Sequence, residues 1–148
     1  MDNLDHKIWE KALQFLKIRP HSRQELKTKL TAAFREEARA IGTVLDEMER
    51  VELVNDRRFT ELFITSLIRR PIGRIKIMAE TRRRGLDPDL ANRILQNLNW
   101  SEEESAKEAR AEKERTLREA DPRKRKMKLA NFLRSRGFKE ATIYRLLR

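Results

Sequence analysis

A chain of 148 residues with 40% charged and 39% hydrophobic side chains can form one small domain or a short array of modules, folded beneath a heavily solvated surface. It has no cysteine, which excludes disulfides, thiol catalysis and cysteine-based zinc sites. Its net charge of +11 points to a polyanionic partner, nucleic acid or an acidic protein face. The start, Met1-Asp2-Asn3-Leu4-Asp5, lacks a basic-then-apolar leader pattern, and no apolar run approaches spanning length. A cytoplasmic protein with no membrane partner is therefore expected.

Helix signals run the whole length, and no segment reads as a strand. Ile8, Trp9, Ala12, Leu13 and Leu16 form a helical stripe over about 5–18. Arg19-Pro20-His21 breaks it, because proline disfavours helical geometry in the residue before it. Ser22-Arg23-Gln24-Glu25 then has the spacing of a capping box, and Leu26 and Leu30 line the second helix. Ile41, Val44, Leu45 and Met48 mark a third helix over about 36–50.

A fourth helix starts at Asn55 or Asp56, either of which suits an N-cap, with Phe59, Leu62, Phe63 and Leu67 as its stripe. Arg70-Pro71-Ile72-Gly73 is the next break. A fifth helix runs from about Arg74 to Arg84 and stops at Gly85, a suitable left-handed C-cap. Asp87-Pro88 opens the sixth, with aspartate as N-cap and proline in the first turn, over Leu90, Ala91, Ile94, Leu95 and Leu98.

Ser101-Glu102-Glu103-Glu104 reads as a second capping box. The helix behind it is expected to reach about Ala120 on a thin edge of Ala106, Ala109 and Leu117, and to be longer, more exposed and more mobile than the rest. Asp121-Pro122 ends it. Met127, Leu129, Phe132 and Leu133 line the eighth helix, which stops at Gly137, and Ile143, Leu146 and Leu147 line the last.

These elements repeat. Phe34, Leu86 and Phe138 are 52 residues apart, each preceded by a paired position (Leu26/Leu30, Ile77/Thr81, Leu129/Leu133). Each is followed by a matching stripe: Ile41-Val44-Leu45, Ala91-Ile94-Leu95 and Ile143-Leu146-Leu147. A fixed period of this kind signals stacked supersecondary units. The fold class expected is all-α: three tandem three-helix repeats, at 1–54, 55–100 and 101–148, forming an elongated, curved array with a long outer surface for a large partner.

The charge is segregated along the array. Residues 1–55 hold 10 basic and 10 acidic side chains, residues 56–100 hold 10 and 5, and residues 101–148 hold 15 and 9. Within the last part, residues 121–148 hold 10 basic side chains against Asp121 and Glu140 alone. The candidate binding residues are accordingly Arg57, Arg58, Arg69, Arg70, Arg74, Lys76, Arg82, Arg83 and Arg84 in the second repeat. In the third they are Arg123, Lys124, Arg125, Lys126, Lys128, Arg134 and Arg136. Lys76 and Arg83 share the helix side opposite Ile77 and Thr81 and should face solvent. Cations in a last helical turn complement the macrodipole, which accounts for one or two of Arg82, Arg83 and Arg84. Arg123 to Lys128 sit at a helix start, where the dipole disfavours them, so phosphate attraction is the better explanation there.

No catalytic constellation is present. His6 and His21 lie in different elements without ligand spacing and read as surface or capping residues. The glycines at 42, 73, 85 and 137 cannot build a phosphate-cradling loop, and the carboxylates fall at helix starts and exposed faces. Trp9 and Trp100 lie beside apolar stripes and read as core rather than as base-stacking platforms. A non-enzymatic protein without cofactor or metal is expected.

Three stretches carry a family resemblance. They are Arg19-Pro-His-Ser-Arg-Gln-Glu-Leu-Lys-Thr-Lys-Leu30, Val54-Asn-Asp-Arg-Arg-Phe59, and Gly73-Arg-Ile-Lys-Ile-Met-Ala-Glu-Thr-Arg-Arg-Arg-Gly-Leu86. In order and spacing they resemble the RecX family of bacterial recombination regulators, over nearly the whole chain and most strongly over residues 12–98. Thr81 departs from that pattern, standing where leucine is usual, and so does Ala33, where glycine is common. The resemblance implies three tandem three-helix repeats and a monomeric modulator of RecA. Such a protein would lie in the groove of the RecA filament on single- or double-stranded DNA and inhibit ATP turnover, strand exchange and LexA cleavage. The competing expectation, from the residues alone, is an autonomous DNA-binding protein built of helix-turn-helix-like units and acting in transcription or DNA architecture.

Overall fold

The computed structural model describes residues 2–148. Among them are nine α-helices and no strand. The first repeat holds α1 (Asn3–Ile18), α2 (Arg23–Ala33) and α3 (Ala38–Arg50). The second holds α4 (Asp56–Leu67), α5 (Arg74–Arg83) and α6 (Pro88–Asn97), and the third α7 (Glu102–Glu114), α8 (Pro122–Ser135) and α9 (Glu140–Leu147). Among the described residues no helix is long and apolar enough to cross a membrane.

Each repeat has its own core, as the apolar spacing requires. Ile8, Leu26, Leu30, Ile41, Val44, Leu45 and Met48 close the first. Ile64, Ile72, Ile77, Ala91 and Leu95 close the second; Ala106, Ala109, Leu133, Phe138 and Ile143 close the third. Thr81 is buried in the leucine position because its hydroxyl donates to the Ile77 carbonyl one turn back at 2.7 Å, leaving no unmet polar group.

The caps follow the sequence signals. Ser22 accepts from the Glu25 N–H at 3.1 Å and Glu25 accepts from the Ser22 N–H at 3.3 Å, completing the first box. Asn55 caps α4 by accepting from the Arg58 N–H at 3.0 Å. Gly85 and Gly137 take left-handed φ angles of 69° and 84° at the ends of α5 and α8. At Ser101 only half a box forms: its hydroxyl accepts from the Glu104 N–H, while the Glu104 carboxylate turns to Lys107.

Four expectations are corrected. Helix α7 ends at Glu114 rather than Ala120 and is shorter than α1 and α8. No proline or glycine marks that end, so Asp121-Pro122 was the first visible break; Ala106 and Ala109 anchor the helix against α8 and α9 well before it. On α4 Thr60 and Ile64 are fully buried, Phe63 and Leu67 of the expected stripe pack half-buried against the same core, and Leu62 is 58% exposed rather than part of it. Met127 is likewise 58% exposed rather than core. His21 is buried, 3% exposed, rather than at the surface.

His21 is enclosed because both ring nitrogens are satisfied. Nδ1–H donates to the Arg19 carbonyl at 2.9 Å and Nε2 accepts from the Lys29 ammonium at 2.7 Å, beside the Phe15 ring. Burial, with Arg19 and Lys29 close by, holds its pKa below the ordinary histidine value.

Candidate nucleic-acid interface

The second repeat presents its cations from α4, from the α4–α5 link and from α5. Arg58 is exposed and has no carboxylate within 4.0 Å, whereas Arg57 lies 3.6 Å from Glu61. Arg69 and Arg70 follow α4 in an exposed turn, both unpaired. Of the α5 cations, Arg82 is exposed and unpaired, and Arg83 is exposed but paired with Glu80 one turn back. Lys76 is half-buried rather than free in solvent, because the third repeat packs its Gly137 against it; it has no carboxylate partner.

Two of the second-repeat candidates serve the scaffold. The Arg84 guanidinium sits 3.3 Å from Glu25 of the first repeat and stacks 5.0 Å from the Phe63 ring centroid. Burial works against the Glu25 charge, but hydrogen bonds from Arg19 and the Ser22 N–H, together with Arg84, hold its pKa below the usual carboxylate value. Arg74 donates to the Asn92 side chain at 2.6 Å and lies 5.2 Å from the Trp100 ring centroid, so Trp100 is occupied as a structural ring.

In the third repeat, α8 buries Leu129 and Leu133 and turns Arg123, Lys124, Met127, Asn131 and Arg134 outward. Arg123, Lys124 and Lys126 are exposed and unpaired in its first turns. Arg125 is half-buried on Glu114 at 3.4 Å, and Lys128 reaches Glu119 at 3.0 Å, a contact that lowers the Glu119 pKa. Arg134 pairs with Glu140, and Arg136 pairs with Glu112 at 3.2 Å while stacking on Phe132.

Internal carboxylates thus answer seven of the sixteen candidates, and an amide and an aromatic ring answer Arg74. Among the described residues, Arg58, Arg69, Arg70, Lys76, Arg82, Arg123, Lys124 and Lys126 keep no carboxylate partner. Arg115 and Arg118 join this unpaired set: the connector after α7 leaves them exposed just ahead of the α8 cations. Sequence reasoning passed over them by extending α7 to Ala120. Among the described residues, no group of three or more His, Asp or Glu is arranged to hold a metal ion.

The chain is an array of three-helix repeats with a net positive charge on its second and third units. Family models match two of these units: residues 55–95 match the second three-helix domain of RecX, and residues 101–147 match the third. Similar proteins include the regulatory protein RecX of Chlorobaculum tepidum, 36% identical over 95% of this chain and 82% of its own length. That of Prosthecochloris aestuarii is 33% identical, over 99% and 95%. In fold, the chain resembles the crystal structure of RecX from Lactobacillus salivarius, with a TM-score of 0.76 at 18% identity over 97% and 94% of the two chains. The chain belongs to the RecX family of regulatory proteins.

Proposed function

We propose that this protein regulates RecA by seating the unpaired cations of its second and third repeats on the phosphate-lined groove of a RecA–DNA filament. It would work there as a monomer in the cytoplasm, without chemistry of its own. In that position it restrains ATP turnover, strand exchange and the coprotease activity directed at LexA. The observation that carries the reading is the sorting of cations: nine of sixteen have no carboxylate partner among the described residues, and eight of these, all but Arg74, are also not held by an amide or a ring and lie between residues 58 and 126. An unpaired guanidinium or ammonium releases counterions when it meets phosphate, whereas one already paired gains little.

The test is a RecA-dependent ATP-hydrolysis titration with the triple variant Arg123→Glu, Lys124→Glu, Lys126→Glu. These side chains are exposed, so the variant should keep its helical signal. It should lose inhibition, and the salt slope of DNA binding should fall by roughly 2.7 for three duplex phosphate contacts. Undiminished inhibition would reject the assignment. Tight, sequence-selective binding to naked duplex that filaments fail to compete would favour the autonomous DNA-binding alternative.

A further inference from the structure

The cations of α8 have an apolar counterpart at the junction of the first and second repeats, where Arg58 stands at the rim. An open cleft of about 370 Å³ lies where the first repeat meets the second. Leu16 of α1, Leu53 of the α3–α4 link, and Phe59 and Leu62 of α4 line it. Leu53 is 44% and Leu62 58% exposed, large apolar side chains left in water on a chain that is 40% charged. Leu62 points away from the Thr60–Ile64 stripe, so the second core makes no use of it. Adjoining exposed apolar groups rimmed by charge mark an interaction site more often than chance placement.

The lining specifies the occupant. His21 lines the cleft with both nitrogens already bonded, and among the described residues no buried side-chain polar atom is left without a partner, so the cleft surface is mostly apolar. At the rim stand Lys17 and Arg58, neither with a carboxylate within 4.0 Å, against a single carboxylate, Glu52. A strand of nucleic acid would find two cations and no free stacking ring. A second copy of the chain would bring another +11 of like charge. A bulky apolar side chain flanked by carboxylates meets both requirements, hydrophobic inside and positive at the edge.

We infer that this cleft captures an acidic protein segment carrying one or two bulky apolar side chains. The cleft and the α8 cations lie on different repeats, so one chain can hold protein at the first junction and phosphate on α8. The test needs no recombinase and therefore stands or falls apart from the filament reading.

Fluorescence anisotropy would compare two labelled octapeptides, each with aspartate and glutamate on both flanks, one with Leu-Phe at its centre and one with Ser-Ser. The apolar peptide should bind at least tenfold more tightly. Leu62→Asp, or the milder Leu62→Ser should aspartate disturb the fold, should erase that preference, and Lys17→Ser should weaken binding about threefold. The triple α8 reversal should leave the preference intact. Equal affinity for the two peptides would show general attraction to a basic protein and overturn the inference. So would a preference that survives both Leu62 variants, or a dimer in light scattering that Leu62→Asp dissolves.

Discussion

The two junctions between repeats use the same positions of the repeat and join them by different chemistry. At the first, side chains meet. Asp56, at the start of α4, accepts from the Arg23 N–H of α2 at 2.8 Å, the Ser22 hydroxyl donates to the Arg84 carbonyl at 3.2 Å, and Arg84 bridges Glu25 and Phe63. At the second, backbones meet. The Gly73 N–H donates to the Arg136 carbonyl at 2.9 Å and the Ile75 N–H to the Gly137 carbonyl at 3.0 Å. Glu102, at the start of α7, accepts from the Arg74 and Lys139 N–H groups, both at 2.9 Å, so one carboxylate caps two helices. The Ser105 hydroxyl adds a bond to the Ile72 carbonyl. A junction of ion pairs and flexible side chains tolerates adjustment and is screened by salt. One made of close backbone contacts does not yield, because neither chain has an atom it can move aside.

The largest effect expected from this contrast is at the glycines. An added Cβ at Gly73 would lie closer than 3.0 Å to the Gly137 carbonyl, and one at Gly137 would lie 2.6 Å from the Lys76 backbone nitrogen. At Gly85 it meets only the Gln24 side chain. Both Gly85 and Gly137 carry left-handed strain, worth about 1–2 kcal/mol for a non-glycine residue. Gly137→Ala should therefore lose about 2 kcal/mol more than Gly85→Ala in urea unfolding, the excess being the backbone clash. Equal losses would mean that the second junction is no tighter than the first.

A smaller difference is expected between the bridging acids. Glu102→Ala orphans two backbone donors and should lose about 2 kcal/mol, against about 1 kcal/mol for Asp56→Ala, which orphans one. Chemical-denaturation midpoints of the two variants would separate them. The smallest effect is a pH dependence confined to the first repeat. Because burial lowers the His21 pKa, the unfolded chain binds that proton more readily than the folded one. Stability should be fully present above pH 6.5 and decline as pH falls below it. His21→Leu should flatten that slope, and an unchanged slope would place the acid sensitivity elsewhere.

The repeat, the helix order and most caps were legible in the chain because they depend on local spacing: apolar residues three and four apart, a serine three residues before a glutamate, a glycine after a last turn. Two departures from the family pattern also become intelligible. Thr81 satisfies its own hydroxyl within α5, and Ala33, where glycine is common, lies exposed with no neighbouring repeat pressed against it. Where local cues were absent the reading slipped. No proline or glycine ends α7 at Glu114, and on α4 the stripe took in Leu62, which the fold leaves exposed beside the stacked pair Phe59 and Phe63.

By itself the sequence determined an all-α array of three repeats with positive charge gathered on the last two, since periodicity and charge counts need no partner to be read. Arg57 and Arg83 meet carboxylates one turn away, a spacing visible in the chain, but the tertiary structure decided which of the others remain available. Arg84 meets Glu25 across 59 residues and Arg136 meets Glu112 across 24, and no spacing rule couples positions so far apart. The same holds for the cleft at Leu53 and Leu62, which exists only because α1, the α3–α4 link and α4 converge around space that no side chain of their own fills.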